Sequence, residues 1–330
     1  MRFLLFYLCA ERTEVIMSET IKNLNALSAK AAYQLADVVK TAPQFESISP
    51  RWLCRLMEFK PLATGVFRLN KVAEGRTPLD MLCDRTGVED IPEGFIDYET
   101  KPREYILDSI STIVNINTRV SDIYNNPYDQ IHEQIRLAVE SIHERQESQL
   151  INHRDYGLLY NIADSQRLKA RGGFPTPDDL DELISKVWKE PSFFLAHPKA
   201  IAAFGRECTK RGVPPATVTL YGSPFITWRG IPLVPTDKLL VDGHRNPQSG
   251  NGKTNILLVR TGEKKQGVIG LYQTDLQGEQ SKGLSVRFMG IDNKGIGIYL
   301  LSLYCSAAVL AYDALAVLED VEIGNYDHNE

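Results

Sequence analysis

The clearest periodic stretch in the chain places Ile131, Ile135, Ala138, Val139 and Ile142 on one stripe at helical spacing. Glu133, Gln134, Arg136, Glu140, Glu144 and Glu147 hold the opposite face. The pattern predicts a helix over residues 126–150. Asn126 is its N-cap, Pro127 sits at the first helical position, and Asp129 adds negative charge where the helix dipole favours it. At 1.5 Å per residue such a helix runs roughly 35 Å, the width of a small domain, so it serves as a spine. Before it, residues 28–40 read as an amphipathic helix with Ala31, Leu35, Val38 and Val39 on one face. Residues 51–59 read as a short helix burying Trp52, Leu56 and Phe59. Residues 60–102 form a long excursion that starts strand-like (GVFRLNKV) and continues through Gly75, Pro78, Gly87, Pro92 and Gly94. A two-stranded arm of this kind is marginal alone and needs a neighbouring subunit to lie on. Residues 104–123, with Ile106, Ile110, Thr112 and Val114, read as one extended strand.

After the spine, residues 154–180 are loop-rich, with Gly172 and Gly173 as punctuation. Thr176 is an N-cap candidate followed by Pro177, Asp178 and Asp179, opening a helix through Leu180, Leu183, Ile184 and Val187. Residues 193–196 (FFLA) are a short buried strand that runs into His197-Pro198 and a helix closed by Gly212, with Pro214 beyond. From Thr217 the pattern turns to strands: TVTLYG, GIPLVPT, NILLVRTG, GVIGLYQ, LSVRFMGI and GIGIYLLSLY. An apolar run over 307–317 leads into an acidic end, 319–330, read as a charged patch or a disordered tail.

Composition narrows the class. The 330 residues are 43% hydrophobic and 24% charged, an ordinary globular balance. A net charge of −5 disfavours a nucleic-acid coat held by basic residues, so no nucleic-acid partner is expected. Cys9, Cys54, Cys83, Cys208 and Cys305 are scattered without a C-x-x-C pair, the usage of reduced thiols in a cytoplasmic protein. No stretch reaches the ~18 apolar residues of a membrane span. FLLFYLCA near the start faintly resembles the apolar part of a signal peptide, but the run is short, only Arg2 precedes it, and Met17 opens a stretch of different character. Residues 1–16 are therefore read as an upstream extension.

Candidate chemistry is thin. Ser249–Thr254 suggests a phosphate loop, but the first glycine of that motif is replaced by Pro247 and a strand follows, so the stretch reads as a surface loop. His132-Glu133 and His143-Glu144 lack the second histidine of a zinc-protease helix, because Arg136 and Glu147 stand there. Asp129-x-x-His132 and Glu140-x-x-His143 suggest di-iron ligands, but they lie on one helix some 16 Å apart, too far for one centre. His153, Arg154 and Asp155 read as a polar hinge, and His197 as a helix cap. Lys282 and Lys294, in glycine-flanked loops, read as solvated rather than lining an opening. No catalytic, cofactor-binding or metal-binding residue is singled out, and none is assigned to cargo docking or to a pore.

The order of elements, together with HRDYGLLYNIADSQRL (153–168), FFLAHPKAIAAFGRECTKRGVPP (193–215), SPFITWRGIPLVPTDKL (223–239) and VRFMGIDNKGIGIYLLSLYCSAAVLAYDALAVLEDVEIG (286–324), resembles the family-2 encapsulins. These are bacterial shell proteins related to the major capsid proteins of tailed phages. The resemblance implies an α+β, Hong Kong 97 phage-type major capsid fold with N-terminal arm, extended loop, peripheral domain with spine helix, and axial domain. It implies an N-terminal arm over 17–50, an extended-loop region over 51–103 and a peripheral domain over 104–175. A mainly axial domain over 176–298 follows, and 299–330 return to the peripheral domain and end in the acidic tail. It further implies a non-enzymatic, cofactor-free cytoplasmic nanocompartment of about sixty copies enclosing a cargo enzyme, a cysteine desulfurase of sulfur metabolism. Residues 235–255 are too short to hold the cyclic-nucleotide-binding insertion of some members, so the chain resembles the insertion-free branch. The alternatives are a phage or prophage major capsid protein packaging DNA and, on the spine histidines, a ferritin-like metal-binding enzyme.

Overall fold

The computed structural model describes residues 48–70, 98–117, 130–242 and 252–324. Readings that rest on 1–47, 71–97, 118–129, 243–251 and 325–330 lie outside it, among them the arm helix over 28–40 and the Asn126 cap. The described chain opens with helix α1 (Trp52–Leu56) and strands β1 (Phe59–Leu62) and β2 (Val66–Leu69). Strands β3 (Arg103–Ile106) and β4 (Asp108–Asn117) precede the spine, α2 (Gln130–Asn152). Then come β5 (Arg167–Lys169), α3 (Pro177–Lys186), β6 (Phe193–Ala196) and α4 (Pro198–Lys210). The remainder is strand: β7 (Ala216–Leu220), β8 (Ser223–Trp228), β9 (Ile231–Pro235), β10 (Lys253–Val259), β11 (Val268–Gln273), β12 (Glu279–Ser281), β13 (Leu284–Ile291), β14 (Ile296–Val309) and β15 (Leu315–Glu322).

Two sheets dominate. One runs β5-β15-β10-β6-β9-β8-β7. Its centre is buried on both faces, which explains the uninterrupted apolar runs FFLA and ILLV. Phe193 and Leu195 of β6, with Leu257 and Val259 of β10, pack toward Leu53, Leu150, Ile151 and Leu158. The intervening Phe194 and Ala196, with Ile256 and Leu258, pack under α3 and α4 against Leu180, Leu183 and Phe204. The second sheet runs β1-β11-β14-β13-β12, with β4 also on β14. The spine lies on it through Ala138, Val139 and Ile142, against Leu284, Leu301, Leu303 and Cys305. A β2–β3 ribbon stands at the root of the excursion. Antiparallel pairing interleaves the sequence ranges expected for the two domains: β13 pairs with β14 in one sheet, while β15 pairs with β10 in the other.

Local signals held where the chemistry is local. Thr176 Oγ1 accepts from Asp179 N (3.2 Å) and Asp179 Oδ2 accepts from Thr176 N (3.1 Å), a complete capping box. His197 Nδ1 accepts from Lys199 N at the start of α4. At its end Gly212, with φ +69°, lets Val213 N reach Cys208 O and its own N–H reach Thr209 O, the two bonds of a Schellman motif. Three expectations need correction. Residues 104–123 are not one strand: β3 leaves to pair with β2, Leu107 N donates to Gly65 O (3.0 Å), and β4 then joins β14. Phe59 ends no helix but begins β1, beside β11, and α1 buries Trp52 and Leu53 instead of Leu56. The acidic end begins inside a strand, because Glu319–Glu322 belong to β15, and Arg167 holds Glu319 at 2.7 Å.

Candidate assembly surfaces

On the charged face of the spine, Glu140, Glu144 and Glu147 meet other parts of the chain. This face receives the segment that leads out of the expected N-terminal arm. Ser49 donates to Glu144 through its backbone N (2.9 Å) and its hydroxyl (2.9 Å to Oε2), and Arg51 Nη1 binds Glu140 Oε2 at 2.5 Å. Lys238, from the loop after β9, holds the same Glu144 at 2.7 Å. One turn on, Glu147 is 1% exposed and accepts from Leu53 N at 3.3 Å, while its second oxygen has no hydrogen-bond partner among the described residues. Burial pushes the Glu147 carboxyl up to about 7. The Leu53 N–H and Lys238 pull it down, and Glu144 and Asp237 push it further up. Trp52, carried in by this clamp, packs edge-on against Phe225 at 5.1 Å and near Tyr221 at 6.0 Å. A cavity of about 270 Å³, lined by Ser49, Arg51, Glu147 and Asp237 among others, adjoins it.

Among the large apolar side chains that remain exposed, several lie on strand ends and edges. At the far end of β13, Phe288, Met289 and Ile291 are each more than half exposed, as is Ile113 on β4. Phe288 stands opposite Tyr299 of β14, with ring centroids 5.2 Å apart. Elsewhere, Trp188 lies just past α3, Val213 past α4, and Val218 on β7, the edge strand of its sheet. Four of the five β7 residues are exposed, so its outer edge can accept another chain. The run of exposed apolar groups on β13 and the open β7 edge are costly on an isolated subunit and mark surfaces for association.

The residues with candidate chemistry are dispersed. His143 Nδ1 lies 3.1 Å from Gln146 Oε1, on the spine itself. His153 stacks on Tyr156 (4.2 Å) and places Nε2 3.4 Å from Asp108, so the polar hinge is a packed corner. Lys253 and Thr254 lie in β10, a strand, as the failed phosphate-loop pattern requires. Lys282 and Lys294 are exposed in the β12–β13 and β13–β14 connections. Among the described residues no group of three or more His, Cys, Asp or Glu could hold a metal ion, and no helix is long and apolar enough to cross a membrane. Cys54, Cys208 and Cys305 are free thiols, and burial pushes Cys208 up to about 11 and Cys305 up to about 12, away from reactivity. Sequence reasoning missed Glu147, whose only signal was a carboxylate at helical spacing among others.

Comparison with known proteins completes the picture. The SrpI encapsulin shell protein of Synechococcus elongatus, described as type 2A, is 56% identical over 301 residues, covering 91% of this chain and 95% of that protein. The structure of the holo-SrpI encapsulin complex from the same organism matches with a TM-score of 0.77 and 54% identity, over 92% of this chain and 99% of that one. The capsid of an empty GTA particle shares the fold alone, at 11% identity and a TM-score of 0.60, over 88% of this chain and 97% of that one. The arrangement is thus the α+β fold of Hong Kong 97-type capsid proteins. The family model for type 2A encapsulin shell proteins, SrpI-like, matches residues 67–325. The chain belongs to the SrpI-like family of type 2A encapsulin shell proteins.

Proposed function

We propose that about sixty copies of this chain close into an icosahedral shell that encloses a cysteine desulfurase in the cytoplasm and limits small-molecule passage through its pores. The shell subunit catalyses nothing and carries no cofactor; it contributes to sulfur metabolism by confining its cargo. The observation that carries this reading is the match to the holo-SrpI encapsulin complex along nearly the whole chain. The exposed apolar end of β13 and the open β7 edge supply surfaces that adjacent copies would cover. Residues 17–50 act as the interlocking arm, 51–103 as the extended loop across a neighbour, 104–175 as peripheral and 176–298 as mainly axial domain. Residues 299–330 return to the peripheral domain. The desulfurase cargo rests on the resemblance to the insertion-free branch.

Light scattering and negative-stain imaging of the protein expressed alone test the shell. Uniform closed particles near 2.2 MDa, about sixty times 37.1 kDa, are expected, and a monomer or small oligomer would sink the reading. Co-expression with a cysteine desulfurase tests the cargo separately, since desulfurase that elutes apart from intact shells removes the cargo assignment and leaves the shell standing. Replacing Phe288 and Ile291 together by aspartate is expected to abolish particles while the subunit keeps its circular dichroism spectrum. Charged groups in a buried apolar interface cost several kcal/mol per contact. Wild-type particles from this double variant would show that the end of β13 is not an interface.

A further inference from the structure

Three proline rings, Pro50, Pro198 and Pro235, line the cavity beside the clamp that seats Trp52. Pro50 and Pro198 are exposed and Pro235 is half-buried. The polar groups of the wall are turned to partners of their own. Ser49 Oγ donates to Glu144 Oε2 (2.9 Å), Arg51 Nη1 is held by Glu140 (2.5 Å), and Asp237 Oδ2 by Lys238 (2.7 Å). Thr236 Oγ1 accepts from Lys238 N (3.3 Å), and Glu147 is 1% exposed. What the cavity shows to solvent is therefore almost wholly carbon. A charged guest would have to displace an existing ion pair, whereas an apolar side chain gains by leaving water. The volume is about 270 Å³, and an apolar cavity of ~150 Å³ already holds a benzene ring.

The chain supplies a guest. Its first described residues run from Ile48, and Ser49 and Pro50 form part of the cavity wall. Just upstream, residues 40–47 (KTAPQFES) contain one large apolar side chain, Phe45. It lies three positions before Ile48, a reach of about 10 Å at full extension. So short a tether keeps the ring near the cavity at an effective concentration in the millimolar range. A guest from another molecule has no such advantage unless it is already bound nearby. We propose that Phe45 docks in the cavity of its own chain, among Pro50, Pro198 and Pro235, and latches the root of the N-terminal arm to the spine and the loop after β9. The latch belongs to the subunit and does not depend on how many copies close the shell.

Photo-cross-linking of the full-length protein carrying Phe45→p-azidophenylalanine tests the contact. The cross-link is expected on Pro198 or on residues 235–237, in a product that still runs at subunit mass on a denaturing gel. A product of twice that mass would assign the cavity to a neighbouring copy and overturn the proposal, as would a failure to cross-link at the cavity. Hydrogen exchange at fixed pH gives a second reading without the probe. Phe45→Ala is expected to speed exchange over residues 48–53 about tenfold, and Phe45→Leu much less, since leucine still fills part of the space. Pro235→Ala should speed it too, yet the double variant should show less than the product of the two effects, because both remove the same contact. No effect of Phe45→Ala, or two effects that multiply, would overturn the proposal.

Discussion

Replacing Asp313 by alanine is expected to cost the subunit about 3–5 kcal/mol, because it leaves a buried guanidinium without its counter-charge. Arg260 is 1% exposed, and its Nη2 lies 2.7 Å from Asp313 Oδ1. Nη1 otherwise reaches only Lys189 O at 3.3 Å and Nη2 only Gln266 O at 3.4 Å, and the buried Nε has no hydrogen-bond partner among the described residues. Burial alone would raise the Asp313 carboxyl, but the hydrogen bonds from Arg260 and Lys189 outweigh it and hold the group below the usual carboxylate range. The pair sits at the joint of the two large sheets. Arg260 directly follows β10, its N–H donates to Ala314 O just before β15, and its carbonyl accepts from Val268 at the head of β11. Loss of the carboxylate should therefore loosen both sheets together. Urea unfolding followed by tryptophan fluorescence measures the loss. Arg260→Met combined with Asp313→Leu should recover most of it, since removing both charges removes the penalty. A single alanine variant within ~1 kcal/mol of wild type would show that water reaches Arg260 and serves in place of Asp313.

This joint also shows what a sequence can display. Arg260 closes the apolar run NILLV, and Asp313 is the one acidic residue in the apolar run over 307–317, so a buried pair had a signal. Nothing local linked them across 53 positions. By contrast, β6, His197-Pro198 and α4 were legible because strand, cap and helix signals are contiguous there. The Thr176 box spans only three residues and was legible for the same reason. The strand break at Leu107 was not, because alternation reports a face but not which sheet that face belongs to. The partners of the spine carboxylates were not legible, because glutamates at helical spacing look the same whether they meet water or a backbone N–H about 90 residues away.

The stability of the wild-type subunit should carry a component that falls as pH rises from about 4.5 to about 7, and Glu147→Gln should remove it. Burial raises the Glu147 carboxyl from 4.5 to about 7 in the folded chain, while the unfolded chain keeps the ordinary value. Between those two values the folded state holds the extra proton. The stabilisation is thus complete below about 4.5 and is lost as pH climbs through 7, the reverse of an ion-paired carboxylate. At 1.36 kcal/mol per unit the component amounts to ~3 kcal/mol, an upper figure if the site relaxes on ionising. Glutamine stays neutral throughout and can still accept from Leu53 N, so the variant should match wild type near pH 5 and exceed it by up to ~3 kcal/mol at pH 8. The charged groups facing Glu147 are Glu144, Asp237 and Lys238, with Arg51 nearby, and all four are present in both proteins. Unfolding midpoints at pH 5, 6, 7 and 8 give that difference. Hydrogen exchange over residues 48–57 locates it, because ionised Glu147 lacks a partner for its second oxygen and should loosen the clamp that seats Trp52. A difference constant across pH would mean that Glu147 is ionised at no cost. A wild type more stable than the variant at pH 8 would mean that Lys238 holds its charge as it holds that of Glu144.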